Sequence, residues 1–97
     1  MATGHILVAD DEKLIRWSLK ECLQEEGYEV SEAEDGRGVL ERIEHESFDV
    51  ILLDYRLPDM TGIDVLTELT KTGAETAVVM ITAHSSVENA VEAMQAG

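Results

Sequence analysis

Basic side chains are scarce in this 97-residue chain: 7 Lys and Arg stand against 21 Asp and Glu, for a formal net charge of −14. Such a surface repels a phosphate backbone, which argues against direct nucleic-acid binding by this segment. Cysteine occurs once, at Cys22, so no internal disulfide can form and the chain fits a reducing, cytoplasmic setting. Proline also occurs once, at Pro58, where the chain reads as a loop. No apolar run approaches the roughly 18 residues of a membrane span. The opening Met1-Ala2-Thr3-Gly4-His5 has no basic stretch followed by an apolar one, so no signal peptide is visible. What is present, 44% hydrophobic and 29% charged, suits one globular domain with a modest core and does not suit a disordered tail. Surplus carboxylates on solvent-facing helices keep a small protein soluble. A few stand where solubility does not account for them.

Apolar runs and helical stripes alternate along the chain. His5-Ile6-Leu7-Val8-Ala9 reads as a buried strand ending at Asp10. From Lys13 the period changes: Ile15, Leu19, Cys22 and Leu23 share a helical face, and Gly27 is a stop. Tyr28 to Ala33 alternates like a strand with one wetter face. Asp35 then caps a helix whose Val39, Leu40 and Ile43 form a stripe. Asp49-Val50-Ile51-Leu52-Leu53-Asp54, the most apolar run, stops at a carboxylate. A loop through Pro58 leads to Thr61-Gly62, where a third helix is predicted with Ile63, Leu66 and Leu69 facing inward and its end at Thr72-Gly73. Thr76 to Thr82 reads as a fourth strand. Ser85 to Glu88 makes a Ser-x-x-Glu capping box for a last helix carrying Val87, Ala90, Val91 and Met94. This βαβαβαβα pattern predicts an α/β fold with parallel strands, right-handed crossovers and helices on both faces of the sheet. The second strand, the most polar, belongs at an edge. In open sheets of this kind the site lies at the carboxyl ends of the strands.

Strand one ends in Asp10-Asp11, strand three in Asp54, and strand four in Thr82-Ala83-His84. Taken singly, Asp11 reads as a helix cap, Asp54 as a turn former and Thr82 as an ordinary β-branched strand residue. Taken together they are harder to dismiss. Two carboxylates about 4 Å apart repel by roughly 4 kcal/mol at an effective dielectric of 20. Such a cluster calls for a cation or a raised pKa, and all-oxygen ligation by few protein groups suits Mg²⁺. A carboxylate can act as a nucleophile toward a phosphoryl group, giving an acyl phosphate. Asp54 is the best placed, with Asp11 binding metal directly, Asp10 directly or through water, and Thr82 donating its hydroxyl to a phosphoryl oxygen.

The chain resembles the receiver domain of bacterial two-component response regulators. The match is carried by Asp10-Asp11, by the Val50-Ile51-Leu52-Leu53-Asp54 strand, by Arg56-Leu57-Pro58-Asp59-Met60-Thr61-Gly62 and by Thr82-Ala83. The resemblance implies a flavodoxin-like doubly wound parallel sheet in the strand order 2-1-3-4. It also implies that Asp54 accepts phosphate from a phosphohistidine on a sensor histidine kinase. Asp11, Asp54 and the backbone carbonyl of Arg56 would bind Mg²⁺, with Asp10 supporting. Ile15-Arg16-Trp17 and Thr82-Ala83-His84-Ser85 are most similar to receivers of transcriptional activators that carry an AAA+ ATPase module and work with an alternative sigma factor. On that likeness the partners include an output ATPase and a DNA-binding domain outside this chain. Receivers of the family continue with a fifth strand ending in a lysine, and a fifth helix. Residues 1–97 are therefore expected to be a receiver domain incomplete at its C-terminus, with Ala77 to Ile81 as an open edge through which the chain self-associates.

Rival readings stay open at this point. A Mg²⁺-dependent aspartyl phosphatase would want Asp-x-Asp after the first strand, which Asp10-Asp11-Glu12 does not supply. A flavodoxin-like cofactor module would want a hydroxyl- or glycine-rich phosphate loop there. A receiver-like scaffold that is never phosphorylated keeps the acidic trio but lacks the lysine. His5, His45 and Cys22 have no metal-ligand spacing and read as structural, and His84 reads as a surface residue.

Overall fold

The computed structural model describes residues 4–73 and 76–81. Within them lie β1 (His5–Ala9), α1 (Lys13–Glu25), β2 (Glu29–Ala33), α2 (Gly36–His45), β3 (Val50–Asp54), α3 (Gly62–Thr72) and β4 (Ala77–Ile81). The four strands pair in parallel in the order β2-β1-β3-β4, which puts the polar β2 at an edge as its pattern predicts. Thr82, Ala83, His84 and the expected fourth helix with its capping box lie outside the described residues. Among the described residues no helix is long and apolar enough to cross a membrane.

The alternation of strand side chains sorts the core onto two faces. Ile6, Val8 and Leu52 pack with Leu19 and Leu23 of α1 and with Ile81. Leu7, Ala9, Ile51 and Leu53 point the other way, onto Val39 of α2, Val65 and Leu69 of α3, and Phe48. Both faces of β1 and β3 are thus covered, and Ile6 to Ala9 and Ile51 to Leu53 are wholly buried. That is why these two runs are continuously apolar where an exposed strand would alternate. Each such Leu or Ile contributes roughly 1.5–3 kcal/mol relative to an exposed position.

The helix ends follow the local chemistry. Asp35 caps α2 by accepting a hydrogen bond from Gly38 N at 2.7 Å. Thr61 and Asp64 form a reciprocal capping box on α3. Gly73 ends α3 at φ 72°, a left-handed conformation that glycine adopts freely. The inward face of α3 differs from the expectation. Val65 and Leu69 turn to the core with Gly62, whereas Ile63 is 51% and Leu66 36% exposed. The helix carries two apolar stripes side by side, and close approach selects between them. A Cβ on Gly62 would meet Met80 Sδ at 2.5 Å and Tyr55 Cα at 3.1 Å, so the stripe that begins with Gly62 is the one that can sit against the sheet.

Candidate functional site

The first acidic residue after β1, Asp10, is turned inward and is only 5% exposed. Its Oδ1 accepts from Glu12 N at 2.8 Å, and its backbone carbonyl accepts from Arg16 Nη1 at 2.7 Å. Asp11 is exposed. The capping role open to it is not taken: Glu12 is the N-cap of α1 and its side chain makes no capping bond, while the Glu12 N–H goes to Asp10. Asp54 closes β3, half-buried, with its Oδ1 accepting from Arg56 N at 3.1 Å. Parallel pairing of Ala9 with Leu53 brings the two strand ends level. Asp10, Asp11 and Asp54 consequently each present a carboxylate oxygen within 4.8 Å of the other two.

The loop after Asp54 is a narrow hairpin. Arg56 bridges Thr61 in antiparallel fashion, Gly62 N donates to Tyr55 O at 2.6 Å, and Leu57 N donates to Met60 O at 3.1 Å. Arg56 is exposed, and its backbone N–H is the group it offers to Asp54. On the other side of Asp54, Ile81 is its partner in β4, and Tyr55 N donates to Ile81 O at 2.9 Å. Thr82 follows Ile81 and lies outside the described residues.

The family model for the response regulator receiver domain matches residues 6–97. The chain belongs to the response regulator receiver family. AlgB, an alginate biosynthesis transcriptional regulatory protein of Pseudomonas aeruginosa, is 40% identical over 94 residues, 97% of this chain. Those residues are 21% of AlgB, so the chain spans about a fifth of that relative's length. The crystal structure of the response regulator TrrA from Thermotoga maritima, in complex with Mg²⁺ and BeF, is 41% identical with a TM-score of 0.78 over 84% of this chain and 70% of that one. The chemotaxis regulator CheY4 of Vibrio cholerae, at 24% identity, shares the fold with a TM-score of 0.89 over 98% of both chains.

The electrostatics of this receiver are unfavourable by themselves. Burial pushes the Asp10 carboxyl up to about 6, and the neighbouring Asp54, Asp11 and Glu12 charges push in the same direction against the Glu12 N–H bond. Burial also raises Asp54, with Asp11 and Glu12 adding to it, against the Arg56 N–H bond. Desolvation and like charge both disfavour the ionised forms. A hard divalent cation removes both penalties, and three carboxylates whose oxygens lie this close are a donor set of the right chemistry for Mg²⁺.

Two residues at the site were not singled out from sequence for what they do. Arg16 reaches Asp10 O and, through Nε, Glu32 Oε1 at 3.4 Å, tying α1 to the ends of β1 and β2. Its signal was available, since Arg16 lies three and seven residues before Leu19 and Leu23, and an arginine on a buried stripe needs partners. Asp59 is the other. Its carboxylate accepts from Gly36 N at 2.8 Å and Arg37 N at 3.0 Å. Those partners are more than twenty residues away along the chain, and no local pattern reports such a contact.

Proposed function

We propose that this receiver is a cytoplasmic phosphoacceptor module that takes a phosphoryl group onto Asp54 from the phosphohistidine of a sensor histidine kinase, in a Mg²⁺-dependent reaction. The observation that carries the reading is the position of Asp54. It stands rigidly at the end of a fully covered strand, beside two further carboxylates, with Oδ1 oriented by Arg56 N. An Asp54 oxygen forms the new P–O bond as the P–N bond of the phosphohistidine breaks, and the imidazole leaves with that electron pair. Asp11, Asp54 and the backbone carbonyl of Arg56 would hold Mg²⁺, with Asp10 behind them directly or through water. When bound, the cation neutralises negative charge on the phosphoryl oxygens. The Thr82 hydroxyl would donate to one of those oxygens. The likeness to AlgB, a transcriptional regulatory protein, supports an output that activates transcription through domains outside this chain.

Intact-mass measurement after incubation with acetyl phosphate and Mg²⁺ tests the chemistry. One acid-labile phosphoryl adduct is expected on the wild-type protein carrying a complete receiver domain, with little stable adduct on residues 1–97 alone, and none on Asp54→Asn. An adduct that persists in Asp54→Asn places the acceptor elsewhere. Mg²⁺ binding without any adduct on the wild type favours the unphosphorylated scaffold instead, and turnover of free phosphate esters favours a phosphatase.

A further inference from the structure

The hairpin that follows Asp54 is fixed at both ends. At its base, Gly62 N donates to Tyr55 O and Arg56 N donates to Asp54 Oδ1. At its tip, Asp59 reaches across to the first turn of α2 and accepts from both Gly36 N and Arg37 N. Met60 packs beside it, and Gly36 is the residue that admits Met60: a Cβ at position 36 would overlap the Met60 side chain. α2 does not need this carboxylate to start. Asp35 already caps it through Gly38 N, and Val39 N reaches Asp35 O at 3.2 Å. The positive end of α2 and its two free N–H groups hold a carboxylate in place on the loop that carries Arg56.

We infer that Asp59 is a positioning residue, mooring the tip of the post-Asp54 hairpin to the amino end of α2 so that Arg56 N keeps Asp54 in its receptive orientation. This rests on the proposed role of Asp54 and adds a residue to it. The line of contact runs from α2 through Asp59 to the hairpin, then through Arg56 N to Asp54 Oδ1. The two bonds at Gly36 and Arg37 also hold the Asp59 carboxyl below the usual carboxylate range, the direction a bound anion at a helix start should show.

The test compares Asp59→Ala and Asp59→Asn with Asp35→Ala in the full chain, reading backbone amide resonances, amide hydrogen exchange and titration with MgCl₂. In Asp59→Ala, exchange at Gly36 and Arg37 should quicken about tenfold as their acceptor is lost. The Arg56 amide resonance should move, and Mg²⁺ should bind about tenfold more weakly, the low end of what an outer-shell partner contributes. Asp59→Asn keeps one acceptor oxygen for two donors and should fall between. Asp35→Ala should loosen α2 while leaving Arg56 and Mg²⁺ affinity as in the wild type. Unchanged exchange at Leu53 and Leu69 reports that each variant is folded. If Asp59→Ala behaves as Asp35→Ala does, with Gly36 and Arg37 exposed but Arg56 and Mg²⁺ affinity unmoved, Asp59 is a helix cap alone and the inference is overturned. A wild type that does not take Mg²⁺ counts against the proposed function, and the Arg56 resonance then decides the mooring by itself.

Discussion

Polar groups around the amino ends of the strands are satisfied by one another. His5 Nε2 meets Ser31 Oγ at 2.8 Å, Asp49 Oδ2 accepts from His5 N at 2.8 Å, and Thr76 Oγ1 donates to Phe48 O at 3.1 Å. The His5 ring packs on Phe48 with centroids 4.4 Å apart. At the carboxyl ends the same fold places three carboxylates within 4.8 Å and raises the proton affinity of two of them. One rim is closed by internal pairing, and the other holds like charge that the Glu12 and Arg56 N–H bonds and the Arg56 charge offset only in part. Groups paired from within serve the fold, while charge left unneutralised at a rim is available to a cation and an incoming phosphoryl group. Removing a side chain should therefore have opposite consequences at the two rims.

The largest effect is expected at Asp11. It is exposed, caps nothing and is one of the three convergent carboxylates, so its loss should cost metal binding and little stability. Calorimetric titration of Asp11→Ala should show Mg²⁺ affinity reduced by roughly 100-fold, the upper end of the range seen even for outer-shell partners. Equal affinity in both proteins would move the cation away from this rim and remove the contrast with the amino ends.

Much of this arrangement is legible in the chain because its physical causes are local or periodic. β1 and β3 announce themselves as unbroken apolar runs, since each is covered on both faces, and β2 as an edge, since its exposed and half-buried residues admit Glu29, Ser31 and Glu32. The acidic trio stands out because each carboxylate ends or follows such a run. The inward face of α3 is less legible: two apolar stripes compete there, and the choice depends on how closely Gly62 approaches Tyr55 and Met80. The contacts of Asp59 with Gly36 and Arg37 are beyond any periodicity argument, because they join a loop to the first turn of a helix that only the crossover brings near it.

Asp10→Asn should show a smaller effect of the opposite sign. A carboxyl raised from 3.8 to about 6 binds its proton more tightly in the folded chain than in the unfolded one. Its contribution to stability is complete below about pH 4, fades as pH rises toward 6 and is gone above that. Near pH 7 without metal, the buried charge is a net cost on the order of 2 kcal/mol. Asn keeps an oxygen for Glu12 N and carries no charge. Urea unfolding in metal-free buffer should find Asp10→Asn the more stable protein at pH 7, with the difference shrinking toward pH 4. A wild type more stable than the variant at pH 7 would mean that Asp10 is already compensated from within.

Ser31→Ala should give the smallest change, and it should be a loss. The hydroxyl is half-buried and bonded to His5 Nε2, and the nearest alternative partner for that nitrogen, Glu46 Oε1, is 3.9 Å away. Deleting one partner of a partly buried pair costs about 1 kcal/mol. Neighbouring water can replace some of the bond, which keeps the loss near the lower end. For a domain of this length that is a fall in Tm of roughly 4–8 °C. Mg²⁺ affinity should be unchanged, because Ser31 and the acidic trio share no hydrogen-bond partner among the described residues. The informative measurement is the pair of values. A Tm that falls while the Mg²⁺ Kd stays put keeps the two rims separate, whereas a Kd that shifts with it would show that pairing at the amino ends also sets the spacing of the carboxylates.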